Sequence, residues 1–229
     1  MALDFPANPT NGQVYANYIY DSSITSWRNV NTDTGIGTLN AMGLKNVVPT
    51  SVVIGSGSAT TNSNGLVTFS GATSVSLNGV FTGTYRNYKI VAKYRNSTNS
   101  NTTAIQLRMR ASGTDYTSGD WVFGGSNTTT TSAGSVSIGT WGAWGGNLCH
   151  FGYFTPNYSE ASMEILEPNI ATPTGILSNT AALNTATNAH YSISFNGGFN
   201  SNAVADGFTF FSANTDAITG TVQVFGYTN

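Results

Sequence analysis

A chain of 229 residues with 26 glycines, one cysteine, two histidines and a net charge of −2 is long enough to bury a substantial core. Its eight cations are too few for a nucleic-acid binder that neutralises many phosphates, and its single cysteine excludes an internal disulfide or a multi-thiolate metal site. Charged residues make up only 8 %, whereas Ser, Thr, Asn and Gly together number 110, a composition of strands and turns rather than helices.

The opening, Met1-Ala-Leu-Asp-Phe-Pro6, has neither the cationic nor the apolar region of a secretory signal, and no apolar run approaches the roughly 18–20 residues of a membrane-spanning helix. Three breaker pairs follow closely: Phe5-Pro6, Asn8-Pro9 and Asn11-Gly12. Val14–Tyr20 and Thr25–Val30 read as two short aromatic strands across an Asp21-Ser-Ser23 turn, hence a hairpin. Such a hairpin is marginal alone in water and is expected to dock on the body of the chain or on another protein. Residues 31–50, with Gly35, Gly37 and Gly43, read as a connector. From residue 51 onward, strand candidates recur between turn signals: Ser51–Ile54, Leu66–Ser70, Ser74–Phe81, Tyr88–Arg95, Ala104–Ala111 and Trp121–Phe123. Further on come Ser135–Thr140, Leu148–Thr155, Ser162–Leu166, His190–Phe195, Phe208–Phe211 and Gly220–Tyr227. No window carries a helical apolar period, so the pattern predicts an all-β sandwich or barrel.

Residues 88–111 read as the best hairpin. Tyr88, Ile90, Ala92 and Tyr94 alternate with Lys89, Val91, Lys93 and Arg95, and Ile105, Leu107 and Met109 alternate with Gln106, Arg108 and Arg110. Period-2 alternation predicts an apolar inner face and a basic outer face holding Arg86, Lys89, Lys93, Arg95, Arg108 and Arg110. That face suits an acidic glycan or phosphate, a solvated sheet surface, or a subunit contact with carboxylates. Trp121, Trp141 and Trp144 lie in glycine-rich surroundings and read either as sugar-stacking residues or as core and interface residues.

Catalytic patterns are weak. Glu160, Glu164 and Glu167 are the only glutamates; on a strand the first two share a face and the third points away. Cys149 and His150 are adjacent, so on a strand they face opposite sides, and the chain has no nucleophile elbow. Neither metal-ligand spacing nor a calcium loop is present, and no cofactor is expected.

The segment Asp4-Phe-Pro-Ala-Asn-Pro-Thr-Asn-Gly-Gln-Val-Tyr15, with Tyr18-Ile-Tyr-Asp21 and Trp27, resembles a short module of tailed-bacteriophage structural proteins, including those of phages that infect cyanobacteria. Asp206-Gly-Phe-Thr-Phe210 and Ile218–Tyr227 resemble the last two strands of phage fibre and decoration domains. The middle, through Tyr88-Lys-Ile-Val91, Arg108-Met-Arg110 and Gly113–Thr117, resembles their lectin-like jelly rolls more loosely.

The resemblance implies a non-enzymatic virion surface protein, trimeric, assembled in the host bacterial cytoplasm beside other virion proteins. In that reading residues 1–50 anchor it through Phe5, Pro6, Tyr15, Tyr18, Tyr20 and Trp27, and residues 51–229 form an antiparallel jelly-roll sandwich. Host surface polysaccharide is then bound by Trp121, Trp141, Trp144, Lys93, Arg95, Arg108 and Arg110, as in a tail-fibre adhesin. Capsid decoration is the alternative, and an envelope-glycan hydrolase is the least favoured. The expected core is Leu66, Phe69, Leu77, Ile90, Ala92, Leu107, Met109, Phe151, Ile165, Ile193, Phe208, Phe210, Val222 and Val224.

Overall fold

The computed structural model describes residues 6–15, 18–23, 25–29, 43–96, 103–117, 121–131, 134, 136–146, 149–154, 157–184 and 188–228. Among them the chain is all-β, and no helix is long and apolar enough to cross a membrane. It divides into two compact units, one of residues 1–43 with 228–229 and one of residues 44–227.

The first unit holds an antiparallel sheet of β1 (Val14–Tyr15), β2 (Tyr18–Asp21) and β3 (Ser26–Asn29). The run Val14–Tyr20 is therefore two strands and not one: Val14 pairs with Ile19 and Tyr15 with Tyr18. Alternating aromatics carry no mark of a reversal, which is why the pattern read as continuous. Gly12 N–H donates to the Tyr20 carbonyl and Tyr20 N–H to that of Gln13, each at 2.9 Å, which extends the β1–β2 ladder.

The second unit is built from β4 (Leu44–Val47), β5 (Ser51–Ile54), β6 (Ser58–Thr61), β7 (Val67–Ala72), β8 (Ser74–Asn78), β9 (Asn87–Asn96), β10 (Thr103–Ala111) and β11 (Thr114–Asp115). It continues with β12 (Trp121–Thr130), β13 (Val136–Gly146), β14 (Cys149–Phe154), β15 (Ser159–Leu166), β16 (Thr174–Asn184), β17 (Ala189–Phe199), β18 (Gly207–Ser212) and β19 (Ile218–Tyr227). The larger sheet runs β13-β12-β17-β16-β15-β9-β19-β7-β6, with β4 also on β19. The smaller runs β11-β10-β18-β8-β5, with β14 also on β10. All pairs are antiparallel, and the two sheets enclose one apolar core, an antiparallel β-sandwich of jelly-roll type. Residues 44–47, expected in the connector, are a sandwich strand whose Val47 pairs with Val224.

The expected hairpin 88–111 does not form. β9 pairs with β15 and β19 in the larger sheet, while β10 pairs with β18, β14 and β11 in the smaller. The two arms face each other across the core, burying Tyr88, Ile90, Ala92 and Tyr94 from one side and Ile105, Leu107 and Met109 from the other. Alternation identifies which side chains point inward but not which sheet the strand joins, so both topologies satisfy it.

Rings tie the layers together: Phe210 of the smaller sheet lies 5.4 Å from Phe69 of the larger, and it lies 5.9 Å from Phe151 within its own sheet. Of the expected core, Leu66 alone is half-buried, and the others are buried.

Candidate functional site

β9 and β15 lie side by side with Lys93 opposite Glu160 and Lys89 opposite Glu164. The outward positions of both strands therefore meet as ion pairs, Lys93 Nζ to Glu160 Oε1 at 3.1 Å and Lys89 Nζ to Glu164 Oε1 at 3.2 Å. Glu164 also accepts the Tyr227 hydroxyl, and Glu167 holds Arg86 just beyond the strand end. Burial, and then the neighbouring Glu164 carboxylate, push the Tyr227 phenol up to about 12. Burial likewise raises the phenols of Tyr88 and Tyr94. The three clustered glutamates are thus the charge partners of three cations. Glu160 and Glu164 do share a face, as expected. Four residues of strand rise separate them by roughly 13 Å.

Two of the remaining cations, Arg108 and Arg110, do not share that face, which corrects the expectation of one basic surface. Arg95 stays with Lys93: its guanidinium carbon lies 5.4 Å and the Lys93 nitrogen 5.3 Å from the centre of the Tyr158 ring. Arg108 belongs to the smaller sheet and covers the Phe211 ring at 4.7 Å. Arg110 is 7 % exposed, so it is a buried residue rather than a surface ligand contact. Its Nε donates to Asn78 Oδ1 at 3.0 Å and its Nη1 to Thr209 Oγ1 at 2.7 Å, and it pairs with Asp115 and the Gly113 carbonyl. Gly207, opposite Arg110, lets the β8 backbone approach, because a Cβ there would lie 2.1 Å from the Leu77 carbonyl oxygen.

The tryptophans separate similarly. Trp121 is fully buried, 5.0 Å from Phe199, and is a core residue and not a sugar-stacking one. Its pairing with Phe199 places it at the start of β12, within the strand expected at Trp121–Phe123. Trp141 and Trp144 are placed by backbone register, opposite Gly125 and Val122 on the β12–β13 pair. In the first unit the Trp27 ring lies 5.5 Å from that of Tyr20 in a tilted arrangement and meets Tyr15 edge-on at 6.2 Å, with Tyr18 on the same sheet and Pro6 half-buried. Phe5 lies outside the described residues.

Two clefts open on the outer face of the larger sheet. One, of about 290 Å³, is lined by Lys93, Tyr158, Glu160, Ala181, His190 and Tyr191 among others. The other, of about 450 Å³, is lined by Thr68, Ser70, Lys93, Tyr158, Thr219 and Thr221 among others. Lys93 and Tyr158 border both, so together they form a ridge between two hollows of mixed polar and apolar lining. Tyr158 is 47 % exposed, a large ring held at the surface by two cations. Such a face offers hydroxyls, an ion pair and an aromatic plane, the donor, acceptor and stacking groups that recognise sugars. Tyr158, Thr221 and His190 carried no sequence signal, since none belongs to a charge or tryptophan cluster.

A third hollow, of about 420 Å³, lies beside Val122, Pro173, Gly175, Gly198 and Phe199, with Gly175 paired to Gly198 so that its floor is bare backbone. Among the described residues no three His, Cys, Asp or Glu side chains converge as metal ligands. No family model matches the chain, and no curated protein gives a significant match.

Proposed function

We propose that the chain is a non-enzymatic bacteriophage virion surface protein of the tail-fibre adhesin type, which attaches particles to host cell-surface glycan. The carrying observation is the pair of clefts joined at Lys93 and Tyr158 on the outer face of the larger sheet, which offer both polar groups and an aromatic plane. The separate N-terminal unit, with its Tyr15–Tyr20–Trp27 ring cluster, supports a division between an anchor and a projecting domain. The resemblance of residues 4–27 to phage virion modules supplies the particle. In this reading Glu160, Glu164 and Glu167 neutralise cations and do no acid–base chemistry.

Electron microscopy of particles labelled with an antibody against residues 51–229 tests the reading. Label at the tail, with adsorption lowered by Tyr158→Ala, supports the adhesin. Label over the head favours capsid decoration instead. That second reading draws on Val136 and Ile138, 60 % and 74 % exposed on the outermost strand of the larger sheet, an apolar edge suited to packing against another virion protein. Unlabelled particles overturn both.

A further inference from the structure

The two clefts are not independent hollows. Five of their lining residues, Thr68, Thr221, Lys93, Glu160 and Ala181, stand in one register row that crosses the larger sheet at right angles to its strands, and Ser192 continues it. Thr68 of β7 is opposite Thr221 of β19, and Thr221 is opposite Lys93 of β9. Lys93 is opposite Glu160 of β15, Glu160 is opposite Ala181 of β16, and Ala181 is opposite Ser192 of β17. The row presents one side chain per strand over six adjacent strands. Five inter-strand steps of about 4.8 Å make it roughly 24 Å long. A pyranose chain advances about 5 Å per unit, so its repeat is commensurate with the strand spacing and each unit meets one strand.

The row is polar, and its charge is uneven. Lys93 and Glu160 cancel at the centre. Arg95, one outward step from Lys93 and opposite Thr219, makes no ion pair among the described residues. An anionic group at the Thr219 edge of that hollow lies beside this guanidinium, a group that binds carboxylates in two parallel hydrogen bonds. Tyr158, over Lys93 and Arg95, supplies the stacking plane at the middle of the path.

Resting on the glycan reading above, we propose that the outer face of the larger sheet binds a linear acidic polysaccharide laid across the strands, about six sugar units long, with a uronic-acid unit at Arg95. Recognition is of an internal stretch of polymer, because the row is open at both ends and has no wall to stop a chain terminus.

The test is calorimetry of the full chain against galacturonic-acid oligomers from the dimer to the octamer, beside neutral gluco-oligomers of the same lengths. Affinity should climb by about 100-fold from dimer to hexamer and then level off, and the neutral series should bind about tenfold more weakly. Arg95→Gln should remove the acid preference while leaving the length dependence. Ala181→Trp, which fills one cleft, should move the plateau to shorter oligomers, with the melting temperature checking that the fold is kept. Binding that is independent of length, or unaffected by Ala181→Trp, overturns the crossing path but leaves a glycan surface. Equal binding of the two series overturns the acidic ligand. Binding of neither series at any length overturns the glycan reading itself.

Discussion

Arg110 and Lys93 carry the same charge and each pairs with a carboxylate, yet burial gives them opposite weight. The Arg110 side chain is 9 % exposed, and its removal leaves the Asp115 carboxylate without its counter-charge and Asn78 Oδ1 without its donor. Breaking a buried pair from one side costs about 3–5 kcal/mol, so Arg110→Ala should lower the urea midpoint strongly. The Lys93–Glu160 pair is about half to two-thirds exposed, and Lys93→Ala should change stability by less than about 0.5 kcal/mol. Tyrosines give the pH dependence. A phenol raised in the fold above its unfolded value near 10 leaves stability intact below that pH, because both states are then protonated. Between about pH 10 and 12 the unfolded chain sheds a proton that folded Tyr227 keeps, so stability falls across that window. Tyr88 and Tyr94 push the same way. Urea midpoints measured across this range should fall, and Tyr227→Phe should make the slope shallower.

At the scale of the element, β14 has the most demanding position, paired to β10 yet packed under β16 of the opposite sheet. Ser178 Oγ donates to the Phe151 carbonyl at 2.7 Å, and a Cβ on Gly152 would lie 2.3 Å from Tyr94 Oη and 2.4 Å from Thr180 Oγ1. Gly152→Ala should cost about 1–3 kcal/mol through overpacking, read as a lower melting temperature with an unchanged strand signature in circular dichroism. The sequence made such strands legible where branched or aromatic residues alternate, as in β9, β10 and β19. It hid β16, because Thr-Gly-Ile-Leu-Ser-Asn-Thr-Ala-Ala-Leu-Asn mixes weak strand formers and its inward set includes Ser178 and Thr180. Half of the candidate site was legible for the same reason. The spacing of Lys89 and Lys93 matches that of Glu160 and Glu164, so the charges announced a shared face, but only tertiary pairing brings Tyr158, Thr221 and His190 to it.

For the whole molecule, the boundary between the two units decides what can be removed. Residues 44–47 complete the outer side of β19, which has β9 along its length and, on its other side, β7 at Ile218–Val222 and then β4 at Val224–Tyr227. Gln223 reinforces this junction, donating to Asn46 Oδ1 at 3.2 Å and to the Asn64 carbonyl at 3.1 Å. Val47 is 7 % exposed, and Gly65, with φ of +81°, approaches its carbonyl so closely that a Cβ would sit 2.3 Å away. A chain beginning at residue 44 keeps all of this and should melt within about 2 °C of the intact sandwich transition. A chain beginning at residue 51 bares half of the last strand and loses the burial of Val47, worth about 2–3 kcal/mol together with its neighbours. For a unit of this size that loss lowers the melting temperature by roughly 5–10 °C. Calorimetric scans of the two truncations measure the difference directly, and equal melting would mean that the sandwich is complete without its first strand.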